Sequence, residues 1–224
     1  MNNFTFQVTT DIRFGKDRLN ELPEVLNTFG KNVLLVYGGG SIKKSGLYDQ
    51  VMAQLQNNDN QVTELAGVEP NPRIETVAKG AELCRTEKID VILAVGGGSV
   101  IDCSKVIAGA ACSEEDPWTL VTKRSYQGPA LPLVTVLTLA ATGSEMNRGA
   151  VITNLTAKQK LGVHGPNFLP KVSFLDPTWT FSVNRYQTAA GSADIMSHLI
   201  ENYFSTTENT DVQDGIAEGP VSYT

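Results

Sequence analysis

Apolar residues in this chain follow two rhythms, unbroken short runs and stripes that return every three or four positions. Residues 33–37, 91–95 and 133–137 are near-continuous apolar runs of the kind parallel strands show when both sheet faces are covered. Helical spacing appears in Leu19, Leu22, Val25, Leu26 and Phe29, with Pro23 tolerable in a first turn, and in Leu47, Val51 and Leu55. It returns in Ile74, Val77, Ala78, Ala81 and Leu83, and a further helix is predicted over 99–111. Phe4, Phe6 and Val8 alternate as in an edge strand that Gly15 ends. The turn-forming segment 57–60 leads into a strand at 62–65, and Pro70 and Pro72 stiffen the loop that follows. Strand and helix thus alternate, which predicts an α/β fold with a doubly wound, mostly parallel sheet and right-handed crossovers. After residue 137 the rhythm changes: 151–153, 160–164 and 172–175 read as short strands at meander spacing, followed by a helix over 187–205.

Two of the strands run straight into the same four residues. Gly38-Gly39-Gly40-Ser41 follows the run 33–37, and Gly96-Gly97-Gly98-Ser99 interrupts the run that starts at Val91. Glycines permit positive φ and leave backbone N–H groups open to a phosphate, and Ser99 is placed to cap the next helix, whose N-terminus attracts anions. A tight strand-to-helix turn can also be glycine-rich for packing alone. Asp102, one turn in, would repel a phosphate set directly against it, so it is expected beside the phosphates, accepting a hydrogen bond. Neither turn fits Gly-x-Gly-x-x-Gly or ends in the Lys-Ser/Thr of a P-loop. In a dinucleotide fold one such turn can hold the pyrophosphate and the neighbouring strand end can meet the adenosine ribose. The first turn has no acidic residue for a 2′-hydroxyl and offers Ser41, Lys43 and Lys44, which points to NADP rather than NAD. A third turn, Thr138 through Thr142, Gly143 and Ser144 to Glu145, sets hydroxyls just past a strand end, where α/β folds bind ligands.

Asp194 and His198 stand four apart in the last predicted helix, so both project from one face and can share a cation such as Fe2+ or Zn2+. A plain hydrogen-bonded Asp–His pair has the same spacing. His164, in a polar Gly-Val-His-Gly-Pro segment, reads as solvent-facing or locally bonded. With 224 residues, 41% hydrophobic content and net charge −6, the chain can bury a full core, and it carries no basic run that would suit nucleic acid. No 18-residue apolar stretch or signal-peptide core is visible, which predicts a cytoplasmic protein without membrane contact. Cys84, Cys103 and Cys112 have no metal or redox spacing and read as reduced thiols.

The two Gly-Gly-Gly-Ser turns, Thr-Gly-Ser-Glu at 142–145, Leu-Asp-Pro at 175–177, Asp-Ile-Met-Ser-His at 194–198 and Val-Gln-Asp with Ala-Glu-Gly within 212–219 occur in one order. Together they resemble the iron-containing (group III) alcohol dehydrogenases, nearest the NADPH-dependent butanol dehydrogenases. Leu139 and Ile195 depart from that pattern, standing where many members have threonine and alanine. The resemblance implies a dinucleotide-binding domain over 1–180 and an all-helical metal and substrate domain beginning at 181. It implies that Gly38, Gly39, Gly40 and Ser41 meet the 2′-phosphate end of NADP, and that Gly97, Gly98, Ser99 and Asp102 meet the pyrophosphate. Thr138 and Thr142 would lie on the nicotinamide side, Lys160 at the ribose, and Asp194 and His198 on the metal. The implied activity is reversible hydride transfer between a primary alcohol and its aldehyde, by an enzyme assembled as a homodimer. The family site needs two further histidines, and only His164 and His198 are present, so the chain is expected to be an N-terminal portion of the enzyme. A silent nucleotide-binding remnant, or a relative of glycerol dehydrogenase or dehydroquinate synthase, would share these features.

Overall fold

A computed structural model describes residues 7–221. Its strands are β1 (Asp11–Phe14), β2 (Asn32–Tyr37), β3 (Gln61–Leu65), β4 (Val91–Gly96), β5 (Leu133–Leu137), β6 (Gly149–Asn154), β7 (Gln159–His164) and β8 (Val172–Leu175). Its helices are α1 (Leu22–Asn27), α2 (Ser41–Lys44), α3 (Leu47–Asn57), α4 (Ile74–Thr86), α5 (Gly98–Ala111), α6 (Pro117–Thr122), α7 (Arg185–Tyr203) and α8 (Asp211–Val221). Six strands form one parallel sheet in the order β1-β8-β5-β4-β2-β3.

The unbroken apolar runs are explained by burial on both faces. Along β2, Leu34 and Val36 join a core with α4, α5 and α6, whereas Val33, Leu35 and Tyr37 join a second core with α1 and α3. Along β4, Ile92 and Ala94 divide from Val91, Leu93 and Val95 in the same way. Every residue of β4 and β5 is buried, so no polar side chain could be placed there without a partner. The one hydroxyl in β5, Thr135, donates to Ser173 in β8 at 2.7 Å, and Ser173 in turn donates to the Glu145 carbonyl at 2.6 Å.

Three sequence expectations change. The strand expected over 4–9 falls partly on residues 4–6, which lie outside the described residues, and residues 7–10 form no strand; β1 instead pairs with β8, Asp11 opposite Val172. An open parallel edge offers unpaired backbone groups, and the segment just before Gly15 satisfies them. The helix expected over 18–29 divides into a 3-10 segment, Arg18–Glu21, and α1, with Pro23 near the helix start. The meander does not form. β6 and β7 make a separate antiparallel hairpin with Gly149 opposite His164, while β8 enters the main sheet between β1 and β5. Val172 and Phe174 bury on one face of β8, and the Thr135 bond satisfies Ser173 on the other, so both faces suit a central strand.

The chain leaves β2 through α3 to β3 on one side, then crosses back through α4 to β4 on the other. This reversal puts a crevice at the carboxyl ends of β2 and β4, the position where open α/β sheets bind ligands. Past the 3-10 segment Pro177–Ser182 the elements among the described residues are the helices α7 and α8, which pack on each other. Cys84 and Cys103 are buried in helices, and Cys112 lies exposed at the end of α5. Among the described residues no helix is long and apolar enough to cross a membrane.

Candidate nucleotide cleft and adjoining cavity

The crevice at the strand reversal is an open cleft of about 450 Å³, within the range of ligand sites. Gly38, Gly39, Ser41, Ile42 and Ser45 line one wall, Gly97, Gly98, Ser99 and Val100 the other, and Thr138 and Leu139 the floor. Trp179, Asn184 and Gln187 close it from the helical side. The two turns use glycine for different reasons. Gly40 has φ 110°, a left-handed conformation that other residues rarely adopt. None of Gly96, Gly97 and Gly98 has positive φ; at Gly96 and Gly98 glycine answers close packing, while Gly97 borders the open cleft. A Cβ on Gly98 would lie 2.5 Å from Thr142 Oγ1, and one on Gly97 would stand 3.4 Å from Leu139 Cβ at the wall of the cleft.

Helix α5 starts two residues earlier than a Ser99 cap requires. Gly97 is the cap residue, with extended backbone and no side-chain bond, so Ser99 sits inside the first turn and its hydroxyl accepts from the Asn71 N–H at 3.4 Å. The first intrahelical bonds come from the Val100 and Ile101 amides to the Gly97 carbonyl, so the amides of Gly98 and Ser99 head the helix at the cleft wall. Lys160 reaches this rim indirectly, donating to Asn71 Oδ1 at 2.7 Å. Of the lysines beside the first turn, neither Lys43 nor Lys44 lines the cleft.

A second cavity, about 710 Å³, opens on the other side of the loop that follows β5. Asp102, Thr142, Ser144, Asn147, His164, Asp194 and His198 share it, so Asp102 and Thr142 lie with the candidate metal pair rather than among the lining of the cleft. Position on α5 accounts for Asp102: one turn beyond Gly98 it meets the hairpin, accepting from Ser144 Oγ at 2.6 Å and from the Val151 N–H at 2.9 Å. Burial pushes its carboxyl above the ordinary aspartate value, against the Ser144 bond and the charge of Lys105. His164 is exposed at the end of β7, a strand rather than a turn. The Gly191 backbone brings α7 against the same loop, where a Cβ would stand 2.9 Å from the Ala140 carbonyl oxygen.

Lys105, which pattern reading passed over, fastens this loop. Its side chain is fully buried, and Nζ donates to Ser144 Oγ at 2.9 Å, Asn147 Oδ1 at 3.0 Å and the Gly149 carbonyl at 2.8 Å. An ammonium has three protons, and all three are used. Ser144 therefore passes a hydrogen bond from the lysine to Asp102. Burial lowers the Lys105 amine to about 8, against the carboxylates of Asp102 and Glu145.

Asp194 Oδ2 and His198 Nε2 are 3.7 Å apart on α7, both about half exposed. A catalytic metal takes about three protein donors plus an open position. This pair supplies two, and among the described residues no group of three or more His, Cys, Asp or Glu side chains is placed to hold a metal ion. The donors are of the right chemistry for iron or zinc, but they do not complete a site.

The iron-containing alcohol dehydrogenase model matches residues 9–177, three quarters of the chain. The chain belongs to the iron-containing alcohol dehydrogenase family. It is 55% identical over 218 residues to the probable NADH-dependent butanol dehydrogenase 1 of Bacillus subtilis, covering 97% of this chain and 56% of that protein. It is 41% identical over 222 residues to the NADPH-dependent aldehyde reductase YqhD of Escherichia coli, covering 98% of this chain and 57% of that one. The crystal structure of NADH-dependent butanol dehydrogenase A from Thermotoga maritima superposes with a TM-score of 0.94 at 42% identity, over 99% of this chain and 56% of that chain. The chain thus spans about half the length of the family members it matches, and its parallel sheet with flanking helices is the family's dinucleotide-binding architecture.

Within this family member, Lys105→Met should strip the buried Ser144 hydroxyl, the Asn147 side-chain oxygen and the Gly149 carbonyl of a donor and destabilise the fold by about 2–4 kcal/mol. The unfolded chain holds the Lys105 proton up to its ordinary value of 10.5, and the folded chain releases it near 8, so between these the unfolded state binds more protons. The wild type should therefore gain on the variant as pH rises from about 8 to about 10.5. Denaturant melts at pH 7.5 and pH 10 check this, and a stability gap that shrinks with pH contradicts it.

Proposed function

We propose that the cleft binds a nicotinamide dinucleotide and that the chain contributes the cofactor half of an oxidoreductase interconverting a small primary alcohol and its aldehyde. The observation that carries this reading is the cleft at the strand reversal, walled by Gly97 and by the amides of Gly98 and Ser99 at the head of α5. The names of the relatives from Bacillus subtilis and Escherichia coli support the alcohol and aldehyde substrate class. In this reading Gly97, Gly98 and Ser99 hold the pyrophosphate, Thr138 and Leu139 bound the nicotinamide, and Gly38 to Ser41 meet the adenosine ribose. Lys160 orders the rim through Asn71. Asp102 and Thr142 face the substrate cavity, and residues from 181 onward begin the helical domain that encloses it. A bound nicotinamide supplies the hydride, and a metal in a completed shell would polarise the substrate oxygen.

The end of the cleft supports acceptance of NADP, because Gly38, Gly39, Gly40 and Ser41 present no carboxylate to repel a 2′-phosphate. NADH is the second reading, favoured by the names of the Bacillus subtilis relative and the Thermotoga maritima structure and by lysines that stay out of the cleft. We take both nucleotides to bind.

Gly97→Val should abolish binding of both nucleotides while the fold persists, because the added methyls enter the cleft and the residue's extended backbone suits valine. Fluorescence titration with NADH and NADPH, beside a thermal melt, checks this; a folded variant that binds normally would show that the turn is only structural.

Asp194 and His198 should hold Fe2+ or Zn2+ weakly, with water in the remaining positions, and the chain as it stands should oxidise little or no NADH or NADPH on butanal. Metal content after dialysis checks the first claim, where one equivalent retained per chain contradicts it, and steady turnover contradicts the second.

A further inference from the structure

The adenosine end of the cleft is flanked by a cluster that no dinucleotide contact requires. Tyr37 ends β2 with its side chain buried, immediately before Gly38. Glu64 in β3 is registered opposite Leu35 and so shares a sheet face with Tyr37. Its carboxylate accepts from the Tyr37 hydroxyl at 2.6 Å and from the Tyr48 hydroxyl of α3 at 2.9 Å, which fixes the two rings edge to face, 5.6 Å apart. Lys43 Nζ rests over both, 4.4 Å from the Tyr48 centroid and 5.2 Å from that of Tyr37. On the same short helix Ser41 and Ile42 line the cleft, as does Ser45 just after it, and Lys43 does not.

We propose that Tyr37, Glu64 and Tyr48 form a clamp that holds Lys43 outside the cleft, and that this clamp sets the preference between NADH and NADPH. The proposal rests on the reading of the cleft as a dinucleotide site. The turn itself offers a 2′-phosphate backbone amides and the Ser41 hydroxyl; the cation that would add charge recognition is engaged two residues on by two aromatic faces and the Glu64 charge. Cation–π contacts at an exposed lysine are weak, so the clamp depends on all three partners together. Releasing Lys43 lets it reach a 2′-phosphate, which NADPH has and NADH lacks, so the gain falls on one nucleotide alone. Neutralising Glu64 also removes a negative charge near that phosphate, and this field effect must be separated from the action of Lys43.

The test titrates NADH and NADPH against the wild type, Glu64→Gln, Tyr48→Leu and the double variant Lys43→Ala/Glu64→Gln. Glu64→Gln and Tyr48→Leu should shift the affinity ratio toward NADPH by roughly two- to fivefold, the size expected of one new exposed charge contact. The double variant should return to the wild-type ratio, because the released lysine is gone. Should Glu64→Gln fold poorly, Tyr48→Leu carries the same test without touching a charge. Unshifted ratios in folded single variants overturn the clamp, as does a shift that survives undiminished in the double variant. A wild type that binds neither nucleotide overturns the reading of the cleft itself, and the clamp with it; a wild type that binds both beside unshifted variants overturns the clamp alone.

Discussion

A buried ammonium is the constraint on which the ligand-facing half of the molecule depends. Lys105 has no access to solvent, and a charge in that position is tolerable only when its protons are all engaged. The engagement is with three points on the segment from Ser144 to Gly149, so the desolvation cost is offset only if that segment stays in place. The consequence is a loop after β5 held from below by Lys105 and from the side by the Ser173 bond to the Glu145 carbonyl. Both cavities lean on this loop, the cleft through Thr138 and Leu139 and the larger cavity through Thr142, Ser144 and Asn147.

That arrangement separates two chemistries across one wall. On the cleft side are glycines, hydroxyls and the head of a helix, a neutral surface with positive potential that suits phosphates. On the other side are Asp102, Asp194 and His198, a surface that suits a cation or a polar oxygen. The close approaches at Gly98 to Thr142 and at Gly191 to Ala140 keep the wall thin, so that groups held on the two sides come near each other. A hydride donor and a polarised carbonyl need that proximity.

Much of this was legible in the sequence because parallel strands buried on both faces tolerate no polar interruption, and because ligand turns in such folds follow strand ends. The runs at 33–37 and 91–95 and the glycines behind them therefore located β2, β4 and the crevice between them. The fate of β8 was not legible, since a four-residue strand has the same pattern in a meander and in a central position, and its place is set by Thr135 and Leu133 far along the chain. Lys105 escaped notice because lysine is ordinarily exposed. A signal was present: Val100, Ile101, Cys103, Val106, Ile107 and Ala108 cover most of α5, and Lys105 stands three residues from Asp102 on the narrow strip they leave, so a lysine there faces a carboxylate inside an otherwise apolar helix. Asp102 was read by its nearness to the glycine turn, whereas its position one turn along points it at the hairpin. The engagement of Lys43 depends on Glu64 from another strand and could not be read from the turn alone.

The central claim is that one crevice, between the turns after β2 and β4 and above the loop after β5, holds the dinucleotide. Amide hydrogen exchange with and without saturating NADH or NADPH tests it most directly, because the two glycine turns and the loop after β5 lie far apart in the chain and meet at this crevice. The account predicts added protection at 38–45, 97–101 and 138–142 together, with the β6–β7 hairpin and β1 unchanged. Protection confined to other segments, or none at nucleotide concentrations that saturate related enzymes, would contradict it.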